Sequence, residues 1–491
     1  RQLMTESLVL SGLGSVAGAA LAAVGLRVVR QTAPAGLPRI SEAHLDWSVL
    51  LFALGVAGVT ALLAGLLPAL QAQHLAPASE LKEGSRSATT GPGGIRWRQA
   101  LVSGEIALAV VLVVGAGLLT RTVANLFEID AGFRPEGVLT MRLSTPSTWY
   151  PDSARVEQFY EELQRRVAAL PGVEKVGAVG ILPLATEMGD WGVGIEGYTP
   201  PPHQGSPADW QVVTPGYFEA MGLRLSQGRF FDDRDAMSAP LAMIVNKRFA
   251  ELYLAGKPVL GAHVRVGGGD ATGPQYTIVG VVENVKHNGL TREVKAQFYA
   301  PQPQFATNPG NTSRTMTLVV RGNGDPMTLV NPVRAIIKEL DPRIPISEVR
   351  SMTEVVQQAI AAPRFAMQLL GLFGVLALVL SAIGIFGIVS QVVASRTQEF
   401  GIRAALGATP RNLLMLSLGS GVRQAGAGLV VGVVAALALT RTMTTMLEGV
   451  KPTDPMTFVA VVAVTAVVAV GASLIPARRA AKTDLAKVMT G

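Results

Sequence analysis

The chain contains no cysteine, which excludes disulfides, thiolate nucleophiles and Cys-ligated metal sites. Its few histidines, His44, His74, His203, His263 and His287, stand far apart, without the spacing of a metal site. No G-x-x-x-x-G-K-S/T sequence occurs, so the chain has no P-loop to hold ATP. Charge is also scarce: 16% of residues are charged and 49% hydrophobic, against about 25% charged in a soluble globular chain. The deficit is uneven, because long stretches carry no charge while the middle of the chain has ordinary soluble composition. Membrane helices plus a water-exposed domain explain that distribution. The net charge of +7 does not point to nucleic acid, since the basic residues gather beside apolar runs, where topology accounts for them.

Six apolar runs are long enough to cross roughly 30 Å of hydrocarbon at about 1.5 Å per residue. They are Ser7–Leu26, Trp47–Gln73, Gln99–Thr120, Phe365–Ser395, Leu413–Thr440 and Met456–Ala477. Glu105 and Arg423 sit inside two of them; together with Glu6, they lie within reach of one membrane face, where snorkelling would place their charges. Orientation follows from the short connections. Lys82, Arg86, Arg96 and Arg98, then Arg396, Arg403 and Arg411, then Arg478, Arg479, Lys482 and Lys487 are reached by alternate crossings. The opposite side holds Arg27, Arg30 and Arg39, then Arg441 and Lys451. The positive-inside rule puts the richer set in the cytoplasm and the long middle domain, 125–362, outside it.

That domain reads as α+β. Val138–Ser144 is a strand run; Asp152 or Ser153 caps a helix with a stripe of Val156, Phe159, Tyr160, Leu163, Val167 and Leu170; Pro171-Gly172 stops it before a strand over Val173–Ile181. The pattern returns with a strand over Thr315–Arg321, a helix carrying Leu329, Val333, Ile336, Ile337 and Leu340, and a strand over Ile344–Val349. Two β-α-β units flanking an insertion suggest a split ferredoxin-like subdomain. The insertion, 186–312, is rich in Gly, Pro and β-prone runs such as Tyr276–Val282 and should form a small β-rich lobe. Within it, Gly267-Gly-Gly269 reads as a turn, Asp232, Asp233 and Asp235 as a solvated acidic turn without EF-hand spacing, and His263 and His287 as surface or satisfied histidines.

Ala64-Gly-Leu-Leu-Pro-Ala69 and Ala472-Ser-Leu-Ile-Pro-Ala477 both end an apolar run and lead into an amphipathic tail, and Arg1-Gln-Leu-Met echoes Arg411-Asn-Leu-Leu. Residues 1–84 therefore read as the end of an earlier copy of the segment that finishes at 491. No cleavable signal peptide is visible and the chain opens on Arg1, which fits a fragment of a longer protein.

The loop from Ser395 to Pro410 stands out. Phe400, Ile402, Ala405 and Leu406 give it apolar contacts, Glu399 and Arg403 form an i,i+4 pair, and Gly407 fits a helix stop. A short rigid helix here is either a surface for a soluble motor to push on or an interfacial helix on lipid headgroups.

Glu399-Phe-Gly-Ile-Arg-Ala-Ala-Leu-Gly-Ala408 resembles the coupling-helix motif of FtsX/MacB-type ABC permeases. Val213-Thr-Pro-Gly-Tyr-Phe-Glu-Ala-Met-Gly222, Gly228-Arg-Phe-Phe231, Ile278-Val-Gly-Val-Val282, Pro363-Arg-Phe365, Pro452-Thr-Asp-Pro-Met-Thr-Phe458 and Ile475-Pro-Ala-Arg-Arg-Ala480 resemble its duplicated branch, the acidobacterial duplicated orphan permeases. The resemblance implies an α-helical integral membrane protein with about six transmembrane helices and an inserted α+β extracytoplasmic domain. Residues 1–72 would hold the last two helices of a first FtsX-like module, and 73–98 a cytoplasmic linker. A first helix at 99–124, a MacB-like periplasmic core domain at 125–362 and three helices in 363–491 would make up the second module. It further implies that Thr397, Glu399, Phe400, Gly401, Ile402, Arg403, Ala405, Leu406, Gly407 and Thr409 contact a cytoplasmic ABC ATPase supplied in trans. The bilayer, an adaptor or client in the periplasm, and a pseudo-dimer with the first module would be the other partners; no cofactor, metal or nucleic acid is expected. The function expected is that of a non-catalytic, MacB-like mechanotransmission permease in the bacterial inner membrane. An FtsX-like signalling scaffold that regulates a wall hydrolase is the alternative. A membrane-anchored enzyme lacks any acid/base or nucleophile constellation in the outer domain.

Overall fold

A computed structural model describes residues 2–32, 44–59, 92–201, 205–267, 273–305, 313–395, 399, 403, 409–442, 447 and 449–481. The chain divides into two compact units, one formed by 1–125 and 361–491, the other by 126–360.

The first unit is helical. Five described helices are long and apolar enough to span a bilayer: α1 (Gln2–Thr32), α3 (Pro92–Glu128), α10 (Ala361–Ser395), α11 (Pro410–Leu439) and α12 (Pro455–Ala481). The expected crossing over Trp47–Gln73 is described only through α2 (Trp47–Val59); its remainder lies outside the described residues. The expected run Gln99–Thr120 is the middle of a longer helix, Pro92–Glu128. In α3, α10, α11 and α12 one face of each helix is buried, with Ile106, Val110, Val114 and Leu118 meeting Ile385, Val389, Ala425, Ala436, Val461 and Ala469. Small residues set this approach. A Cβ on Gly428 would meet Ile106 and the Ser103 carbonyl, and one on Gly432 would meet Val110 and Ala107, as expected of close helix packing. A Cβ on Gly12, Gly14, Gly18 or Gly426, by contrast, would meet open space. Arg423 is exposed, whereas Glu105 is half-buried with a carboxylate oxygen 3.1 Å from where a Cβ on Gly384 would lie. No residue of the apolar stretch of α1 is buried; its Ser11 hydroxyl donates to the Ala57 carbonyl of α2 at 2.9 Å.

The second unit is built on one sheet of eleven strands. β1 (Val138–Ser144), α4 (Ser153–Ala168) and β2 (Val173–Val179) form the first β-α-β unit. Asp152 caps α4 by accepting from the Arg155 amide at 2.8 Å, and Val156, Phe159, Tyr160, Leu163 and Val167 are the buried stripe. Gly172, at φ +83°, takes the left-handed turn between helix and strand. The lobe follows: β3 (Asp190–Ile195), β4 (Pro207–Val213), α5 (Tyr217–Met221), β5 (Leu225–Gly228), β6 (Ala242–Asn246), α6 (Lys247–Tyr253), β7 (His263–Val266), β8 (Gln275–Val282), β9 (Gln297–Pro301) and α7 (Gln302–Phe305). The second β-α-β unit is β10 (Thr315–Gly322), α8 (Val330–Leu340) and β11 (Ile346–Ser351), and α9 (Met352–Ala359) ends the head. The outer four strands run in the order β11-β1-β10-β2, every neighbour antiparallel.

The lobe strands close on themselves. β4 pairs β3, β3 pairs β7, β7 pairs β8, β8 pairs β6, β6 pairs β9, and β9 returns to β4 in parallel. Closure leaves those six strands without free edges. Alternate residues on them, among them Val193, Ile195, Val212, Val245, Val264, Ile278 and Phe298, enter the core, where Trp191, Trp210 and Phe305 stack with ring centroids 5.0–5.9 Å apart. The intervening residues, Asp190 and Asp209 among them, lie on the other face.

Candidate functional site

Within the Ser395–Pro410 connection, Glu399 and Arg403 are described and both helical. Their side chains pair at 2.5 Å across one turn, the i,i+4 contact their spacing implies. Thr409 caps α11: its hydroxyl accepts from the Asn412 amide at 3.4 Å, and Pro410 opens the helix. Thr397, Phe400, Gly401, Ile402, Ala405, Leu406 and Gly407 lie outside the described residues. The flanking helices of this connection are held together: Gly421 of α11 packs against Val389 of α10 and Ser473 of α12, and Gln424 donates to Ser103 of α3 at 2.6 Å. At the other end of the bundle Asp454 caps α12, accepting from the Thr457 amide at 2.9 Å, and pairs with Arg121 of α3.

In the head, a cleft of about 350 Å³ opens between α4 and the 232–236 turn. Asp232 and Asp235 form a capping box there. Asp235, expected in a solvated turn, is buried because both its oxygens bind the Arg229 guanidinium, at 2.7 and 2.8 Å. Arg234 beside Asp232 holds that carboxyl far below its ordinary range. Glu157, across the cleft, is pushed upward by burial and by Glu161. Among the described residues no cluster of three or more His, Asp or Glu could hold a metal.

A second polar centre had no signal in the sequence. Asp190 of β3 and Asp209 of β4 are directly paired in register. Lys295 binds Asp190 at 2.9 and 3.0 Å and lies 3.6 Å from Asp209 Oδ1. Asn288 donates to Asp209 Oδ2 at 2.7 Å, while Asp209 Oδ1 has no hydrogen-bond donor. Burial and the neighbouring Asp190 push the Asp209 carboxyl up to about 7; Asp190 is held down by its contacts with the Asp209 carboxyl and the Lys295 ammonium. His287, expected at the surface or satisfied, is buried with Nε2 unpartnered, and burial holds its imidazole well below the usual range, near 3.

Two family models match the chain. Residues 101–339 match the family model described as the MacB-like periplasmic core domain, and residues 371–485 match the FtsX-like permease C-terminal model. The macrolide export ATP-binding/permease protein MacB of Acinetobacter baylyi is 24% identical over 277 residues, 55% of this chain and 41% of that protein. MacB 2 of Aeromonas hydrophila is 25% identical over 45% of this chain and 35% of its own length. The uncharacterized ABC transporter permease YknZ of Bacillus subtilis is 23% identical over 41% and 49%. The chain thus spans less than half the length of these curated relatives. Among solved structures, the periplasmic region of MacB from Actinobacillus actinomycetemcomitans is 14% identical, covering 48% of this chain and 96% of that one, with a TM-score of 0.32. The extracellular domain of YknZ is 15% identical over 43% and 100%, with a TM-score of 0.29. The chain is thus similar over residues 101–339 to MacB-like periplasmic core domains and over residues 371–485 to the C-terminal region of FtsX-like permeases.

Proposed function

We propose that the chain is the non-catalytic permease subunit of an ABC-type exporter in the bacterial inner membrane, working by MacB-like mechanotransmission. A cytoplasmic ABC ATPase, bound in trans at Thr397–Thr409, supplies the stroke. The bundle carries it to the head, a split ferredoxin-like subdomain with a β-rich lobe, which handles its substrate, with an adaptor or client, in the periplasm. In this reading α1 and α2 belong to another FtsX-like module, and 99–491 forms an intramolecular pseudo-dimer with it. The observation that carries the proposal is the Glu399–Arg403 pair, at 2.5 Å, in the connection between α10 and α11, with the head inserted between α3 and α10. That arrangement offers a soluble motor a stiff contact and needs no catalytic group in this chain. The test is co-purification of the full chain with ABC ATPases from the source membrane. Replacing Gly401 with Leu and Arg403 with Glu should abolish ATPase recovery while membrane insertion is unchanged. ATPase recovered equally with both residues replaced would overturn the assignment.

A further inference from the structure

Two loops of the head, 180–189 and 283–296, run together. The Leu184 amide donates to the His287 carbonyl at 2.9 Å, and the Met188 amide donates to Asn288 Oδ1 at 2.7 Å. Arg292 pairs with Glu187 at 2.5 Å. Leu184 is held at φ +64°, a strained backbone state for such a side chain that persists only where the surroundings impose it.

The pair of loops has two attachments. One is apolar: Leu184 and Leu290 pack with Leu126, Ile129 and Ile360, at the two ends of the chain segment that makes up the head, and the Lys286 amide donates to the Ala131 carbonyl at 3.0 Å. The other is polar and joins the loops to the closed barrel through Asp209 and Asp190. Asp209 sits at its centre, 3% exposed. From β3 it faces Asp190, from the 283–296 loop Lys295 and Asn288, and from β9 the buried Tyr299. His287, Lys286, Arg292 and Glu293 line the same small cavity of about 10 Å³, room for one water rather than a metal with its ligands. Arg292 is already paired with Glu187, and the Lys286 ammonium donates to the Arg292 carbonyl. The paired carboxylates therefore share a single ammonium, that of Lys295, and one negative charge is left over when both ionise.

We propose that Asp209 is a protonation-controlled clasp: its neutral carboxyl fastens the 283–296 loop, and through it the two ends of the head, to the barrel, and its ionised form loosens them. The raised affinity of Asp209 for its proton fixes the sign. A carboxyl whose proton is held more tightly in the folded state contributes fully below its unfolded value, about 4, and loses that contribution as pH rises through about 7. The clasp is closed in a mildly acidic compartment and loosens at neutral and alkaline pH.

Hydrogen exchange on the full chain in lipid nanodiscs tests this, with each rate divided by the intrinsic rate at that pH. Protection of the Leu184 and Met188 amides should fall about tenfold between pH 6 and 8, the change expected for one pH unit of linkage on either side of the midpoint. Asp209→Asn should remove the pH dependence, and so should Asp190→Asn, which leaves Asp209 and Lys295 as a neutral pair; the second variant decides should the first fail to fold. Lys295→Met should move the midpoint to higher pH, whereas a merely structural lysine would lower protection at every pH and leave the midpoint in place. Flat protection across pH 6–8 in the unmodified chain, or undiminished pH dependence in Asp190→Asn, would overturn the proposal.

Discussion

Gly177→Ala is a one-methyl change with a large expected effect. Gly177 lies on β2, and α5 begins directly over it. An added Cβ would press into the backbone of Tyr217 and would lie 2.7 Å from the Gly216 carbonyl carbon. The three nearest atoms it meets all belong to main chain, so no side-chain rotation relieves that overlap. Gly216 has little room to yield: it sits at φ +86°, a Cβ on it would run into the Val176 carbonyl, and Tyr217 and Phe218 are buried behind it. Overpacking typically costs about 1–3 kcal/mol, and with only backbone to move the upper end applies. For a unit the size of residues 126–360, about 3 kcal/mol corresponds to a fall in Tm of roughly 6–12 °C. Tryptophan fluorescence melts of the full chain in detergent read the head through the Trp191–Trp210 stack. Gly189→Ala, where a Cβ meets nothing and φ is not positive, is the matched control and should stay near the wild-type Tm. A Gly177→Ala melt within 1–2 °C of that control, well under about 1 kcal/mol, would refute the packing argument.

Val467 is 72% exposed midway along α12, and the proposed membrane embedding puts lipid on that face. Val467→Asp should add about 3–4 kcal/mol to insertion of that helix and cut the membrane-integrated fraction in a carbonate-extraction assay; full integration would argue against a lipid-facing α12. On the acid side, Arg343 beside Asp341, with help from Tyr150, holds that carboxyl down to about 2. Its contribution is complete above about pH 4 and is lost as pH falls toward 2, so Asp341→Asn should flatten the acid limb of the stability curve between those values while a steep limb persists in the wild type.

How much of this was legible in sequence depended on whether the signal was local. The stripe Val156–Val167, its Asp152 cap and the Gly172 stop are neighbours in the chain, and α4 forms where they predict. β1 occupies the expected run, and the second strand unit differs at its edges: β11 starts at Ile346 rather than Ile344 because Ile344 caps the preceding turn through its amide. Barrel closure was not legible, since β4 meets β9 across more than eighty residues and nothing in either run names its partner. For the same reason Asp190 and Asp209, 19 positions apart, gave no sign of facing each other. The motif Val213–Gly222 carried the resemblance but its physics emerges only in three dimensions: Gly216 and Gly222, both at positive φ, bracket α5 so that Tyr217, Phe218 and Met221 can be buried. For the connection between α10 and α11, spacing alone anticipated the Glu399–Arg403 pair.

The natural absence of cysteine makes side-specific labelling the most direct test of the central claim, that apolar helices carry motion from a cytoplasmic contact to a head on the far side of the membrane. Single cysteines at Arg403 and at exposed head positions such as Asp233 and Arg155 would be probed in intact cells and in inverted vesicles with a membrane-impermeant maleimide. The account expects the head positions to label from outside the cytoplasm and position 403 to label from within it. Labelling of both from the same side would contradict it.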